Sequence, residues 1–328
     1  MRNIGFRADA DERCGFGHVI RCFSLAQELQ KKGSRIRFFS SRMPESLAED
    51  LKTAGINIDP PETLLDADLD CIVVDSYEVG REDERKWKEK GWKILAIDDL
   101  ARPHHCDILL DSHFYQNGSH RYEGRLLPSC RSLLGPHYSL LRREFREHRP
   151  PSSKTTGLKK LFISFGGADL GNITEKVARA VFQLSFIEGA VVVLGETHPQ
   201  ADSLSELHKR FPKFQFFRQP GNVAALMADC DLAIGAAGTS SWERCCLGLP
   251  SLLINLVPHQ EEIAQGLQSK GVAWNLGLSS SGFEDKLVSK LEEMHSDPTG
   301  LIEMRKRALA FVDGLGAERV ASLLIGEA

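Results

Sequence analysis

Short apolar runs alternate with amphipathic segments along the first half of the chain. The apolar runs are unbroken, as in "CIVV" at 71–74, and such runs are typical of strands buried on both faces of a parallel sheet. We predict strands at Ile4–Arg7, Ile36–Ser40, Cys71–Asp75, Ile94–Asp98 and Ile108–Asp111. The amphipathic segments between them, at 19–32, 45–54 and 81–90, predict helices. This alternation predicts βαβ units with right-handed crossovers.

A polar segment, "FREHRPPSSKTTGLKK" at 145–160, interrupts the alternation. Its prolines, serines and threonines are typical of a linker between domains. The alternation then restarts, with strands predicted at Leu161–Phe165, Ala190–Leu194, Phe214–Arg218, Leu232–Ile234, Ser251–Leu256 and Val272–Asn275. Helices are predicted near 172–185, 200–210, 222–228, 240–247, 260–270 and 282–295, and the tail at 298–326 has helical spacing without a strand.

The length of 328 residues suits two domains of about 150 residues each. We predict an α/β fold of two doubly wound, Rossmann-like domains at 1–148 and 158–328, joined by a linker at 149–157. In open α/β sheets, ligands bind beyond the carboxyl ends of the strands. We therefore expect the functional residues in the loops that follow the predicted strands.

Charge and composition argue against nucleic acid as a ligand, against a membrane-spanning segment and against a structural zinc site. The formal net charge of -4 provides no basic field to attract nucleic acid, so local groups have to bind any anionic ligand. The apolar runs fall short of the roughly 20 residues of a membrane span, and the chain starts as a strand rather than as a signal peptide. The cysteines include no C-x-x-C pair, which favours reduced thiols and argues against structural zinc. We expect a cytoplasmic protein that neither binds nucleic acid nor inserts stably into a membrane.

The segment "GFGH" at 15–18 puts a histidine directly after a glycine turn, where a predicted strand gives way to a helix. The dipole of a helix N-terminus disfavours an imidazolium, and a neutral imidazole can take a proton from water. We interpret His18 as a catalytic base, and Gly17 in the same turn as a substrate-binding candidate. A capping or packing histidine fits the same position, and the residues alone leave that alternative open.

Acidic residues follow several predicted strands of the first half. Asp9, Asp75, Asp98 and Asp99 all lie at strand ends, where an aspartate most often caps a helix or closes a turn. Their shared position raises the expectation that some of them line one site. The sequence does not distinguish which.

In the second half, "SFGGADLGN" at 164–172 follows the first predicted strand. Gly166 and Gly167 allow a ligand to approach the backbone closely, and a helix that begins near residue 172 or 173 offers free amide groups to a phosphate. A tight turn with no ligand explains the same residues equally well.

The segment "AIGAAGTSSWERCCLGLP" at 233–250 runs from a small apolar strand into another predicted helix. Gly238, Thr239 and Ser240 offer amides and hydroxyls to a phosphate, and the carboxylate of Glu243 can accept both vicinal hydroxyls of a ribose. A capping box accounts for the same residues. After the next strand, His259 and Gln260 open a helix and are candidates for contact with sugar or phosphate, with an ordinary cap as the alternative.

Together these segments resemble the UDP-sugar hydrolase family of pseudaminic acid biosynthesis, the PseG type, which is related to the spore-coat polysaccharide protein SpsG. The resemblance runs along nearly the whole chain. It rests on "FRADA", "GFGHVIRCFSLA", "VVDSY", "AIDDLA", "CDILLD", "LLGPHYSLLRREF", "FISFGGAD", "LMADCDLAIGAAGTSSWERCCLGLP" and the following "HQ". It implies the glycosyltransferase-B architecture, as in the peptidoglycan glycosyltransferase MurG.

The resemblance also implies an activity, the hydrolysis of UDP-2,4-diacetamido-2,4,6-trideoxy-β-L-altropyranose to the free sugar and UDP. It implies His18 as the base, Tyr77 facing the sugar, Gly166 and Gly167 near the nucleotide, Gly238, Thr239 and Ser240 on the phosphates, and Glu243 on the ribose. We expect a monomer that needs no cofactor and no metal ion. A UDP-sugar-dependent glycosyltransferase of the MurG type and a non-catalytic nucleotide-sugar binding module remain the alternatives.

Overall fold

The computed structural model describes residues 1–11, 15–115, 118–151, 157–166, 169, 171–195, 198, 203–258, 260–280 and 282–326. The chain divides into two compact units, Met1–Arg142 with Gly314–Ala328, and Arg143–Asp313. No helix within the described ranges is long and apolar enough to cross a membrane.

The first unit is built on a parallel sheet with the strand order β3-β2-β1-β4-β5-β6-β7. Its strands are β1 (Asn3–Ala8), β2 (Arg35–Phe39), β3 (Asn57–Asp59), β4 (Cys71–Asp75), β5 (Lys93–Ile97), β6 (Ile108–Asp111) and β7 (Arg131–Leu134). Its helices are α1 (Gly17–Lys31), α2 (Glu45–Thr53), α3 (Arg81–Glu89) and, from the end of the chain, α12 (Gly316–Ile325), with 3-10 turns at Pro61–Asp66, Gly118–His120 and Pro136–Tyr138.

The second unit repeats this plan, with the strand order β10-β9-β8-β11-β12-β13 and parallel pairing. Its strands are β8 (Lys160–Ser164), β9 (Gly189–Leu194), β10 (Phe214–Arg218), β11 (Leu232–Gly235), β12 (Ser251–Asn255) and β13 (Trp274–Leu278). Its helices are α4 (Arg143–Glu147), α5 (Ile173–Phe182), α6 (Leu204–Arg210), α7 (Val223–Ala228), α8 (Ser240–Cys246), α9 (Gln260–Ser269), α10 (Phe283–Ser296) and α11 (Thr299–Phe311).

The interior strands of both sheets are buried on both faces, as their unbroken apolar runs predict. All five residues of β4 are buried, and the ring of Phe6 on β1 stacks on that of Phe38 on β2 at 4.9 Å. Helix α1 covers this sheet with a stripe at spacings of three and four residues, Val19, Cys22, Leu25, Ala26 and Leu29. The two doubly wound α/β domains predicted from the alternation are therefore confirmed.

The C-terminal helix belongs to the first unit, whereas the sequence boundaries of 149–157 and 158–328 assign it to the second domain. Val320 and Leu324 of α12 lie in the same apolar core as α1 and β1, and Lys93 Nζ donates to the carbonyl of Leu324 at 2.9 Å. A Cβ on Gly316 would stand 2.2 Å from the carbonyl oxygen of Ser139, so glycine permits this close approach. The helix predicted for the tail from its apolar spacing is present. The unit on which it packs could not be predicted, because helical spacing does not specify the surface that a helix covers.

Candidate functional site

The strand order of the first sheet reverses between β1 and β4, and in folds of this type ligands bind where the order reverses. His18 is the second residue of α1, which follows β1, and Asp75 is the last residue of β4. His18 Nδ1 lies 2.6 Å from Asp75 Oδ1, and both side chains are buried. His18 and Asp75 are thus in contact at the switch point, the place between β1 and β4 where the strand order reverses.

Arg21, one turn after His18 on α1, binds the same carboxylate. Its Nε and Nη2 donate to the two oxygens of Asp75, the latter at 2.6 Å. Burial would raise the pKa of Asp75, but the charge of Arg21 and hydrogen bonds from Arg21 and His18 lower it to about 2. Burial would lower the pKa of Arg21, but the charge of Asp75 raises it well above its ordinary value. The pair is therefore ionised and close to neutral overall.

The ionised carboxylate fixes the tautomer of His18. A carboxylate only accepts hydrogen bonds, so the proton between the two groups belongs to Nδ1 of His18. In the neutral imidazole this tautomer leaves the lone pair on Nε2, and no residue that the structure describes hydrogen-bonds that atom. A histidine oriented by a carboxylate in this way can take a proton through Nε2.

Tyr77 stands beside this histidine. Its ring meets that of His18 edge-on, with the centroids 5.0 Å apart, and its hydroxyl donates to Asp99 at 2.9 Å. Burial, together with the charge and hydrogen bonding of Asp99, raises the pKa of Tyr77. The phenol therefore stays protonated at neutral pH. Its side chain is 47% exposed, so a ligand near His18 has access to it.

Arg102 holds the loop that carries Tyr77. Its guanidinium donates to the carbonyls of Ser76, Tyr77 and Val79, and its Nε donates to Asp98 at 2.7 Å. Of the four predicted aspartates, Asp75 and Asp99 contact His18 and Tyr77 directly, whereas Asp98 supports the loop through Arg102.

Asp9 lies at the end of β1 and stabilises the turn after β2. It accepts from Arg7 at 2.6 Å and from the amide of Ser41 at 2.8 Å. With Asp11 it forms an Asp-x-Asp sequence, and Arg42 lies within 3.7 Å of Asp9 and 3.2 Å of Asp11. An arginine thus supplies the positive charge beside these two carboxylates.

His104 makes the stability of this region depend on pH. Its Nδ1 lies 2.6 Å from the buried Glu84 and its Nε2 3.6 Å from Asp98. Burial would lower the pKa of His104, but Asp98 and Glu84 raise it to about 9. Because this exceeds the ordinary histidine value of about 6.5, the stabilisation is complete below pH about 6.5 and is lost as pH rises through about 9.

We expect the free energy of unfolding of the wild type to fall by about 2–3 kcal/mol between pH 6.5 and 9.5 relative to that of His104→Gln. Urea titrations of both proteins across this range measure the difference. Parallel pH profiles for the two proteins would contradict the assignment of the effect to His104.

In the second sheet the strand order reverses between β8 and β11, and both predicted nucleotide loops follow these strands. Ser164 and Gly235 are paired across them. Gly166 follows β8 with φ +85°, a left-handed conformation that favours glycine. Gly167 lies outside the described residues.

The expectation that the start of α5 offers free amides to a phosphate is wrong for its first two residues. Asp169 accepts from the amides of Ile173 and Thr174 at 2.9 and 2.8 Å, and His198 Nε2 lies 3.3 Å from the same carboxylate. The helix begins at Ile173, as predicted, but the carboxylate already occupies the position that a phosphate would take. The aspartate four residues before the helix is the sequence signal for this cap.

Two glycine-to-alanine substitutions, at Gly166 and Gly238, test whether the positive φ of Gly166 requires glycine. We expect Gly166→Ala to cost about 1–2 kcal/mol of stability, since an alanine at positive φ is strained, although no atom lies within 4 Å of the added Cβ. Gly238→Ala also has open space for its Cβ, at an ordinary φ, and we expect it to change the unfolding free energy little. Urea denaturation measures both, and equal costs would contradict the role of φ.

The loop between β11 and α8 leaves several polar groups open. Among the described residues, nothing hydrogen-bonds the amides or hydroxyls of Thr239 and Ser240. The amide of Gly238 is 3.3 Å from Ser241 Oγ, so Ser241 rather than Thr239 closes the turn. Open amides and hydroxyls are the groups that a phosphate contact requires, and the contact itself stays a prediction.

A buried arginine supports this loop from below. Arg244 is 2% exposed, and its Nη2 donates to the carbonyl of Ala236 and to Ser241 Oγ, both at 2.9 Å. Burial lowers the pKa of Arg244 to about 10, so the side chain remains a cation at neutral pH. Glu243 lies half-buried in the first turn of α8.

At the end of β12 the structure shows a polar cluster that the sequence analysis missed. Asn255 Nδ2 donates to Glu261 at 2.6 Å and to Asn275 at 3.1 Å, and Asn275 Nδ2 donates to Glu261 at 2.9 Å. Gln260 begins α9, and its Oε1 accepts from the amide of Leu256 at 2.8 Å in the turn that precedes the helix. Its contact with a sugar or phosphate stays a prediction. His259 lies outside the described residues.

The most consequential residue missed in the first unit is Arg21. It stands three positions after His18 in "HVIR", and residues at that spacing share a helix face. The helical periodicity of α1 would therefore have predicted that Arg21 lies on the same helix face as His18. The partner carboxylate was not identifiable, because several aspartates end strands of this sheet.

Comparisons with known proteins identify relatives of this chain. The glycosyltransferase family 28 C-terminal domain model matches residues 165–320. The UDP-2,4-diacetamido-2,4,6-trideoxy-β-L-altropyranose hydrolase of Campylobacter jejuni is 28% identical over 275 residues, covering 81% of this chain and 96% of the relative. The spore coat polysaccharide biosynthesis protein SpsG of Bacillus subtilis is 25% identical over 334 residues, covering 98% and 97%.

Solved structures agree on the fold. MurG of Acinetobacter baumannii superposes with a TM-score of 0.69 at 16% identity, covering 99% of this chain and 100% of MurG. Alr3699/HepE of Anabaena, solved in complex with UDP-glucose, gives 0.63 at 12% identity with full coverage of both chains. The chain is thus related by sequence to the UDP-2,4-diacetamido-2,4,6-trideoxy-β-L-altropyranose hydrolases and to SpsG, and it has the glycosyltransferase-B fold.

Proposed function

We propose that this protein hydrolyses UDP-2,4-diacetamido-2,4,6-trideoxy-β-L-altropyranose to UDP and the free sugar, with water attacking C1 and inverting it. The observation that carries the proposal is the contact of 2.6 Å between His18 and Asp75, which leaves Nε2 of a buried histidine as an acceptor at the switch point. The name of the Campylobacter jejuni relative supplies the substrate, since that protein is a hydrolase of this UDP-sugar.

In the proposed reaction, a water molecule hydrogen-bonds Nε2 of His18. Its oxygen forms the new bond to C1 while the bond from C1 to the UDP oxygen breaks, and that electron pair leaves with UDP. The water proton passes to Nε2, and the Asp75 carboxylate stabilises the imidazolium that forms. Arg21 keeps Asp75 ionised and in place, and the Tyr77 hydroxyl, held by Asp99, faces the sugar.

The second unit supplies UDP binding in this proposal. The open amides and hydroxyls at Thr239 and Ser240, together with Gly238, hold the diphosphate, and the buried charge of Arg244 lies behind their loop. Donors on the diphosphate stabilise the negative charge that develops on the leaving group. Glu243 accepts the ribose hydroxyls, and Gly166 allows the nucleotide to approach the backbone.

Incubation with this UDP-sugar in oxygen-18 water tests the proposal, with EDTA present and no acceptor added. We expect UDP release, with the label in the free sugar and none in UDP. Label in UDP would contradict attack at C1, and activity that EDTA abolishes and a divalent cation restores would contradict a metal-independent reaction. UDP release only after a sugar or lipid acceptor is added would instead identify a glycosyltransferase, and UDP binding without turnover would identify a binding module.

A further inference from the structure

Two thiols face each other at the amino ends of β6 and β7. Cys106 Sγ lies 3.6 Å from Cys130 Sγ. The first residue of β7, Arg131, donates its amide to the carbonyl of Asp107 at 2.9 Å, so backbone pairing fixes the two chain segments beside each other. Cys106 is fully buried and Cys130 is partly exposed. One sulfur is therefore accessible to a reagent, and the other lies directly behind it.

We propose that Cys106 and Cys130 form a reversible disulfide site that reacts with low-molecular-weight disulfides of the glutathione type. The sulfurs lie 3.6 Å apart and have to approach by about 1.5 Å to reach a bond length of about 2.05 Å, so the proposal requires the two side chains to rotate toward each other. The proposal does not depend on the hydrolase activity.

The partly exposed thiol, that of Cys130, is the more reactive of the two. The hydrogen bond from the Cys106 thiol lowers the pKa of Cys130, whereas that same bond and burial raise the pKa of Cys106. The thiolate is the nucleophile in disulfide exchange. Cys130 therefore attacks first, and Cys106 serves as the resolving thiol.

The chemistry balances in two exchanges. The Cys130 thiolate attacks one sulfur of oxidised glutathione, which forms a mixed disulfide and releases one glutathione thiolate. The Cys106 thiol then attacks the Cys130 sulfur and gives its proton to solvent, which forms the internal disulfide and releases the second glutathione. The protein loses two protons and two electrons, and one oxidised glutathione is reduced to two thiols.

The other cysteines of the described part offer no comparable pair. Cys22 on α1, Cys71 on β4 and Cys230 just before β11 are buried apart from one another. Cys245 and Cys246 are neighbours on α8. Burial raises the pKa of Cys71, Cys230 and Cys245 to about 12. Among the cysteines that the structure describes, modification by a mild disulfide reagent should therefore concentrate at Cys130.

The position of the site separates its effect from catalysis. The two cysteines precede β6 and β7, whereas His18 and Asp75 lie at the opposite, carboxyl edge of the same parallel sheet. A disulfide here closes a loop between cysteines 24 positions apart and restricts the unfolded chain. We expect oxidation to raise the denaturation midpoint and to leave the turnover of the UDP-sugar within about twofold.

The test treats the folded protein with oxidised glutathione, followed by intact mass measurement and peptide mapping. We expect a loss of two hydrogens, a cross-linked peptide pair containing Cys106 and Cys130, and reversal by dithiothreitol. Cys106→Ser should accumulate a mixed disulfide at Cys130, and Cys130→Ser should remain unmodified at position 106. Absence of the cross-link, or first modification of another of the described cysteines, would overturn the proposal.

A second measurement covers the case in which a variant fails to fold. Brief alkylation of the native wild type with iodoacetamide should label Cys130 before any other described cysteine, and alkylation should prevent later cross-linking. Labelling of Cys106 at the same rate would contradict the assigned order of the two thiols.

Discussion

Replacing His18 with asparagine is expected to lower kcat for the UDP-sugar by about 10²- to 10⁴-fold. The amide has no lone pair of suitable basicity to accept the water proton, whereas the residues proposed to bind UDP belong to the other unit. The Kd for UDP should therefore stay close to that of the wild type. Steady-state kinetics and UDP titration calorimetry measure the two quantities separately.

The control for this variant is His120→Asn. His120 belongs to the same unit, and its side chain is 70% exposed beside Glu123, so its replacement should leave kcat and UDP binding unchanged. Near-normal turnover of His18→Asn would show that another group accepts the proton. A loss of UDP binding equal to the loss of turnover would assign His18 to ligand binding instead.

The interior strands of both sheets could be predicted from the sequence because they are apolar throughout. β4 and β6 have the bounds that their apolar runs predict. β3 and β7 were missed. They are the edge strands of the first sheet, and "NID" and "RSLL" carry polar residues and too few apolar positions to stand out. These two edge strands are specified by the neighbours they pair with more than by their own composition, whereas the edge strand β10, "FQFFR", is apolar enough to be predicted.

β13 shows a related error. The apolar start of "VAWN" predicted a strand at Val272–Asn275, but the strand runs from Trp274 to Leu278. Val272 and Ala273 are buried in the turn that precedes it, so burial in a turn was mistaken for burial in a strand. β13 is also an edge strand, and its register shifts near Asn255.

The candidate site was predictable residue by residue but not as an arrangement. A glycine turn before a helix locates His18, and strand ends locate the aspartates, because local pattern determines both. The partnership of His18 with Asp75 spans 57 positions and follows from the reversal of strand order between β1 and β4. That reversal is a property of the assembled sheet, and the sequence carries no local mark of it.

The second prediction with a large effect concerns the carboxylate that orients His18. Asp75→Asn is expected to lower kcat by about 10³- to 10⁴-fold. Arg21 donates to both oxygens of Asp75, so an asparagine turns its single oxygen toward Arg21 and its amide NH₂ toward His18. Nδ1 then has to accept, the proton moves to Nε2, and the histidine can no longer serve as a base.

The same substitution also lowers stability, which gives a separate readout. The Arg21 and Asp75 side chains are 13% and 1% exposed, and removing one partner of a buried ion pair costs about 3–5 kcal/mol. Asp59→Asn is the matched control. Its carboxylate pairs with Arg37 at a more exposed position, where an ion pair contributes about 0–1 kcal/mol.

A double variant distinguishes two roles of Asp75, the orientation of His18 and the compensation of the Arg21 charge. Arg21→Met combined with Asp75→Asn removes the unpaired buried cation, so urea unfolding should recover much of the lost stability. Turnover should remain low, because no carboxylate fixes the Nδ1 proton of His18. If the double variant regained wild-type turnover, or if Asp75→Asn kept it while folded, Asp75 would serve only to balance the charge of Arg21. Recovery of stability without recovery of kcat would show that Asp75 orients His18 as the base.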